Sequence, residues 1–222
     1  MSQGFNRLAL FDCDGTLVDS QHNIVEGMNR CFAAEALPIP DRHEVLAVIG
    51  LSLPLAMARL VPDADAAFHD RLAEQYKLCF QAMRRESVID EPLYTGIAEL
   101  IAQLSDDGWM LGVATGKSDR GLRFCLDQHG IHDRFITLQT ADRHPSKPHP
   151  SMAVQAMADA GAVPETTLMI GDTSYDMEMA LNAGMRGIGV GWGYHTPEEL
   201  IAAGAVAVAM DTADLARHIA AA

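Results

Sequence analysis

Cysteine is scarce and scattered in this chain. Cys13, Cys31, Cys79 and Cys125 form no C-x-x-C pair and no Cys/His zinc spacing, which argues against a disulfide framework and a structural zinc site. A reducing, cytoplasmic setting is the expectation. Basic residues are also few: 16 Lys and Arg stand against 30 Asp and Glu in 222 residues, a formal net charge of −14. With no Lys/Arg run, such a surface repels polyanions and makes nucleic acid and anionic membranes poor partners. Long apolar runs are missing too, since nothing approaches the ~20 residues of a membrane span. Leu8–Phe11, interrupted at once by Asp12, is too short for a signal peptide. What remains is ordinary for a globular protein, 49% hydrophobic and 21% charged. A chain of this size buries roughly 70–75% of its unfolded surface and needs no staples.

The apolar residues that are present come in short blocks. Leu8–Phe11 stops at Asp12-Cys13-Asp14-Gly15-Thr16, as a buried parallel strand ending in a polar loop does. Trp109–Ala114, Thr167–Ile170 and Gly187–Val190 repeat the pattern, with weaker strands at Phe135–Leu138 and Ala205–Met210. Amphipathic helical spacing fills Gly96–Asp106, Asp119–His129, Pro150–Ala160, Tyr175–Ala183 and Pro197–Ala203. This alternation predicts an α/β fold, a Rossmann-like parallel sheet covered by helices on both faces.

Residues 19–89 break the rhythm. Asn23–Glu35, Arg42–Val48 and Ala64–Arg85 carry apolar residues at helical spacing, separated by Pro38, Pro40, Pro54 and Pro62, with no convincing strand. The segment reads as an α-helical insert, leaving residues 1–18 and 90–222 as the core. Because it begins just after the first strand's loop, its base should stand over whatever that loop does.

In an open parallel sheet, ligands bind beyond the carboxyl ends of the strands. The polar residues there are Asp12 and Asp14, then Thr115, Gly116 and Lys117, then Lys147, then Asp172 and Asp176. Each alone has a plain structural explanation as a turn, a helix cap or a solvated loop. Together they do not, because two strand ends deliver carboxylates to one edge. At ~4 Å and an effective dielectric near 20, each like-charge pair costs about 4 kcal/mol. Such a set takes up protons or a hard cation, and oxygen donors without His or Cys favour Mg²⁺. Thr115, the N–H groups near Gly116 and Lys147 would then hold a phosphoryl group.

Asp12-Cys13-Asp14-Gly15-Thr16, the Thr115 strand end, Lys147 and Gly171-Asp172-x-x-x-Asp176 resemble, in order, the four motifs of the haloacid dehalogenase superfamily. Asp12 through Ser20 and the helical insert are similar to the phosphoglycolate phosphatase and β-phosphoglucomutase branch. The resemblance implies a phosphatase of small phosphorylated metabolites, either phosphoglycolate-like or sugar phosphates. Asp12 would be the nucleophile, forming an aspartyl-phosphate, and Asp14 the acid and then base. Mg²⁺ would be held by Asp12, the Asp14 backbone carbonyl and Asp172, with Asp176 in support. Thr115, Gly116 and Lys147 would bind phosphate.

Two alternatives were weighed. A β-phosphoglucomutase-like phosphoryl transferase must handle a second phosphate in the insert, yet Leu53 stands where those relatives carry an arginine. A receiver-type switch that stores a phosphoryl group lacks an acid/base at the Asp14 position. Monomer and dimer are both open. Among the remaining residues, Cys13 is expected to be a small buried side chain, Met177 and Met179 core, His195 core-edge packing, and His144 and His149 solvated loop residues. Lys77, Arg84 and Arg85 are expected on a solvated helix face.

Overall fold

The computed structural model describes residues 5–222. Six strands form one fully parallel sheet: β1 (Asn6–Phe11), β2 (Met110–Thr115), β3 (Thr137–Thr140), β4 (Ala162–Gly171), β5 (Arg186–Val190) and β6 (Ala205–Ala209). Their order across the sheet is β3-β2-β1-β4-β5-β6. The strand order reverses direction at β1, so the crevice between the ends of β1 and β4 is the topological switch point. The strands read as unbroken apolar runs because both faces are covered. Ala9 and Phe11, with Leu111, Val113, Leu168 and Ile170, pack under α5 (Ile97–Asp106), α6 (Asp119–Gln128) and α10 (Thr212–Ala220). Their neighbours Leu8, Leu10 and Met169 face α7 (Ser151–Ala160) and α8 (Ser174–Asn182), where Met179 is fully buried. Met177 is equally buried, beside Leu200 of α9 (Pro197–Ala202).

Between β1 and α5 the chain forms α1 (Gln21–Ala34), α2 (Arg42–Leu46), α3 (Leu53–Leu60) and α4 (Ala66–Arg85). These helices share a core of their own that includes Met28, Phe32, Met57, Leu72 and Tyr76. The outgoing and returning chains are tied together: Asp19 N–H donates to the Pro92 carbonyl (2.9 Å) and Tyr94 N–H to the Leu17 carbonyl (3.0 Å). The helices also touch α8 and the loop after β3. Tyr175 hydroxyl donates to the Ala47 carbonyl (2.9 Å), and the Ser52 N–H donates to Ser146 Oγ (2.8 Å).

Two helices were not expected from sequence. The first, α3, carries Pro54 in its first turn, where a missing N–H costs nothing, so that proline starts a helix instead of only separating two. The second, α10, is opened by Asp211, whose side chain accepts from the Asp214 N–H. The third strand begins two residues later than its apolar pattern suggests, because residues 132–134 make a short 3₁₀ turn. The fourth starts five residues earlier than expected, at Ala162.

Candidate active site

The loop after β1 delivers both early aspartates to the switch point. Gly15 has φ +79°, and a Cβ there would lie 2.1 Å from Asp172 Oδ2, so only glycine lets the two loops meet. Thr16 Oγ1 donates to Asp172 Oδ1 (2.8 Å), and the Tyr194 N–H donates to Asp172 Oδ2 (3.0 Å). Thus β1, β4 and the loop after β5 converge on one carboxylate.

Asp12, Asp172 and Asp176 are buried and offer ligand oxygens within 4.8 Å of one another. Lys147 has no exposed surface and places Nζ 3.0 Å from Asp12 Oδ1 and 2.6 Å from Asp176 Oδ1. The second oxygen of Asp176 accepts from Thr173 N–H (3.1 Å) and Thr173 Oγ1 (2.7 Å), the capping box of α8. Asp12 Oδ1 also accepts from the Cys13 N–H (2.7 Å), whereas Asp12 Oδ2 is buried with no hydrogen-bond partner among the described residues. Two of the three carboxylates, Asp12 and Asp176, share one ammonium. Burial, above all, lifts the Asp12 carboxyl to about 7; Lys147 opposes it, and Asp176 and Asp14 push the same way. Asp172 is held well above the carboxylate range by burial and by its two acidic neighbours. Burial pulls Lys147 down, but Asp12 and Asp176 outweigh it and raise the ammonium's pKa. The all-oxygen donor set and the charge imbalance fit a hard divalent cation with oxygen ligands.

The Asp14 side chain lies outside this cluster of three. Its Oδ1 accepts from Ser20 Oγ and lies 2.8 Å from Lys117 Nζ. Lys117 in turn pairs with Glu91 Oε1 at 2.9 Å, and Glu91 is 1% exposed. Burial lowers the Lys117 ammonium's pKa, and Asp14 with Glu91 more than offsets it. Sequence reading put Lys117 at the sheet edge without a role, and it missed Glu91 altogether. Only the return of the chain from α4 brings Glu91 there.

Asp12, Asp14, Thr115 and Gly116 line a cavity of about 410 Å³ between the sheet edge and the helical layer. Lys147, Asp172 and Asp176 are completely buried beside Asp12. A Cβ on Gly116 would lie 2.7 Å from the Leu51 carbonyl, so the loop from the helices closes directly onto the end of β2. Leu53 and Pro54 stand in the cavity wall.

Other expectations fare differently. Cys13 is fully buried, its Sγ 3.9 Å from Cys125 Sγ, and all four cysteines are free thiols. His195 is half-buried, accepting from the Ser174 N–H and meeting Tyr175 edge-on. His149 is exposed, but His144 is not simply solvated: its nitrogens lie 2.8 Å from Ser151 Oγ and 2.8 Å from Gln139 Oε1. Arg85 is exposed and Lys77 pairs with Glu74 at 2.7 Å. Arg84 overturns the solvated-face reading, because it is stacked on Phe80 and Phe124 and lines the cavity. No described helix is long and apolar enough to cross a membrane.

Comparison with known proteins agrees with this geometry. A protein named "Probable phosphatase IndB" from Dickeya dadantii is 37% identical over 201 residues, covering 88% of this chain and 86% of that one. A phosphoglycolate phosphatase from Pseudomonas putida is 29% identical, covering 85% and 71% of the two chains. The crystal structure of a "predicted phosphatase" from Clostridium acetobutylicum superposes with TM-score 0.88 at 25% identity, over 99% of this chain and all of the other. Residues 9–190 match the model of the haloacid dehalogenase-like hydrolases, and the chain belongs to that family as an enzyme of its phosphatase kind.

Proposed function

We propose that the site hydrolyses small phosphate monoesters in two steps through an aspartyl-phosphate on Asp12, with Mg²⁺ as cofactor. The observation that carries the reading is the buried, partnerless Oδ2 of Asp12 beside a second aspartate, Asp14, that lies outside the carboxylate cluster. One carboxylate is free to form a bond, and the other to move a proton.

Asp12 Oδ2 donates a lone pair to phosphorus as the ester P–O bond breaks, and Asp14 gives its proton to the departing alkoxide. Asp14 then accepts a proton from water as that water attacks phosphorus and the Asp12–phosphate bond opens. The Asp14 Oδ1 atom is held by Ser20 and Lys117, which orients the carboxyl toward the cavity and leaves Oδ2 for the transfer. Thr115 hydroxyl and the Gly116 backbone supply donors to the phosphoryl oxygens. Lys147 holds Asp12 in place and offsets the repulsion an anionic nucleophile meets at an anionic phosphate. Asp12, Asp172 and the Asp14 carbonyl would hold Mg²⁺, with Asp176 supporting through Lys147. When bound, the ion supplies charge neutralisation at the phosphoryl oxygens.

Residues 19–89 would act as a cap over the core formed by 1–18 and 90–222, excluding water from the reaction. Substrates are small phosphorylated metabolites, with 2-phosphoglycolate and sugar phosphates the first to test. Phosphate release with 2-phosphoglycolate, hexose phosphates and nucleotides, in Mg²⁺ and in chelator, tests the reading. Chelator-resistant turnover overturns the metal assignment, and no release from any ester overturns the phosphatase.

A further inference from the structure

We infer that the alcohol part of the substrate is an apolar body ending in a carboxylate, and that Arg84 is the residue that reads that carboxylate. The inference rests on the phosphatase reading above and concerns the half of the cavity that the phosphoryl chemistry does not use.

Beyond Asp12, Asp14 and Thr115, the cavity is walled by Ile24, Met28, Val45, Leu53, Tyr76 and Phe80. Its uncharged hydrogen-bonding side chains besides Thr115 are Ser52, Tyr76, Gln81 and Ser118, fewer than its apolar ones. Its cations are Lys77, Arg84, Lys117 and Arg120. Lys117 is committed to Asp14 and Glu91, and Lys77 to Glu74. Arg84 and Arg120 have no carboxylate partner among the described residues. Arg120 is exposed at the rim, whereas Arg84 is half-buried and its Nε is enclosed without a hydrogen-bond partner. An arginine stays protonated, so that donor cannot be relieved by losing its charge.

Two further contacts hold Arg84 ready. Its guanidinium carbon lies 4.4 Å from the ring centre of Phe124 on α6 and 5.3 Å from that of Phe80 on α4. Stacking leaves the N–H edge of a guanidinium free for a planar, two-oxygen partner. The same guanidinium stands over the first turn of α6: a Cβ on Gly121 would be 3.9 Å from Arg84 Nη2. The helix end itself is satisfied, with Ser118 Oγ accepting from the Gly121 N–H (3.1 Å) and Asp142 from the Asp119 N–H (2.9 Å), so the group left without a partner here is the guanidinium. The nearby acids are occupied, with Asp142 accepting from the Asp119 N–H and Asp119 pairing with Arg143. In a chain of net charge −14, an arginine in the cavity wall with an enclosed, partnerless Nε is a site for an anion brought from outside. The single half-buried guanidinium balances one negative charge, the other unpartnered cation, Arg120, being exposed to water, and this favours a carboxylate over a second phosphate. The cavity, at about 410 Å³, has room for a body longer than a two-carbon acid.

The test is a series of ω-phosphooxy alkanoates with chains of about two to eight carbons, each compared with its neutral carboxamide, in saturating Mg²⁺. For the wild type, kcat/KM should favour the acid by about tenfold to a hundredfold at one length beyond two carbons. Arg84→Met should bring that ratio close to one, and Arg84→Lys, which keeps charge without the fork, should retain part of it. The ratio is internal to each variant, so a loss of folded protein cancels. A wild type with no acid preference at any length, or a preference that persists in Arg84→Met, overturns the inference. Failure of the phosphatase reading has a separate signature, since then the neutral carboxamide esters are not turned over either.

Discussion

The edge of the sheet and the helical layer above it solve opposite problems. At the sheet edge nearly every polar atom is spoken for: Asp172 by Thr16 and Tyr194, Asp176 by Lys147 and Thr173, and Asp14 by Ser20 and Lys117. The carboxylate exceptions are Glu91 Oε2, whose residue does not line the cavity, and Asp12 Oδ2, whose residue does. In the helical layer the cavity wall is mainly apolar, and among its polar side chains Arg84 has an enclosed nitrogen without a partner. A network with one vacancy at the cavity specifies a reaction, because donors and acceptors are preorganised around the atom that must react. A mainly apolar wall with one half-buried free charge specifies a shape and an end group instead. The division of labour is therefore between chemistry below and selection above.

The comparison breaks most sharply at Asp12. Asp12→Asn should cut phosphate release by at least about a thousandfold, since the amide cannot form the acyl phosphate. It should also not lower the melting temperature, because it removes one of three crowded carboxylates. Residual turnover near wild type, or a misfolded variant, would place the chemistry elsewhere.

Lys147→Met tests whether the lower network is held by a single cation. Without its ammonium, Asp12 and Asp176 are left buried and uncompensated, which should cost about 3–5 kcal/mol in a denaturant titration. A loss below about 1 kcal/mol would show that the carboxylates are neutralised by protons instead.

The third prediction couples metal and pH. Asp12 is raised from 3.8 to about 7, so the folded chain keeps a proton that the unfolded chain has already released. That contribution to stability is present at low pH and is lost as pH rises from about 4 through 7. A bound cation replaces the proton, so the rise in melting temperature on adding Mg²⁺ should be larger at about pH 8 than at about pH 5. A pH-independent increment would separate the ion from Asp12.

The smallest effects belong to the upper layer. Leu72→Ala opens the fully buried core of the helices and should lower stability by about 2–4 kcal/mol. Gly116→Ala drives a methyl into the Leu51 carbonyl and should reduce kcat/KM by about tenfold by displacing the loop that closes the cavity. If Gly116→Ala is silent, the closed contact between the two regions is not the one used in turnover.

Much of the lower region was legible from residue order. Continuous apolar blocks ending in acidic loops point to buried parallel strands, and β1, β2, β4 and β5 contain those blocks nearly residue for residue. Asp12, Asp14, Thr115 and Asp172 could be named because they follow or end strands, and Lys147 and Asp176, in a loop and in α8, because the spacing of the motifs resembles a known family's. The upper region was less legible. Arg84 sits in a helix whose polar residues look alike in sequence, and its stacking on Phe124 depends on a residue forty positions away in another element. Pro54, read as a separator, begins a helix because its neighbours supply the apolar face that packs on α4.

By itself the sequence determined the periodicities, the strand-end chemistry and the family, because these depend on neighbours along the chain. Tertiary structure alone decided which oxygen of Asp12 lacks a partner, that Glu91 holds Lys117 against Asp14, and that Arg84 faces the cavity. The physical reason is that a buried polar group's state depends on who donates to it and how little water reaches it. Those partners come from segments far apart in sequence, and no local pattern records their meeting.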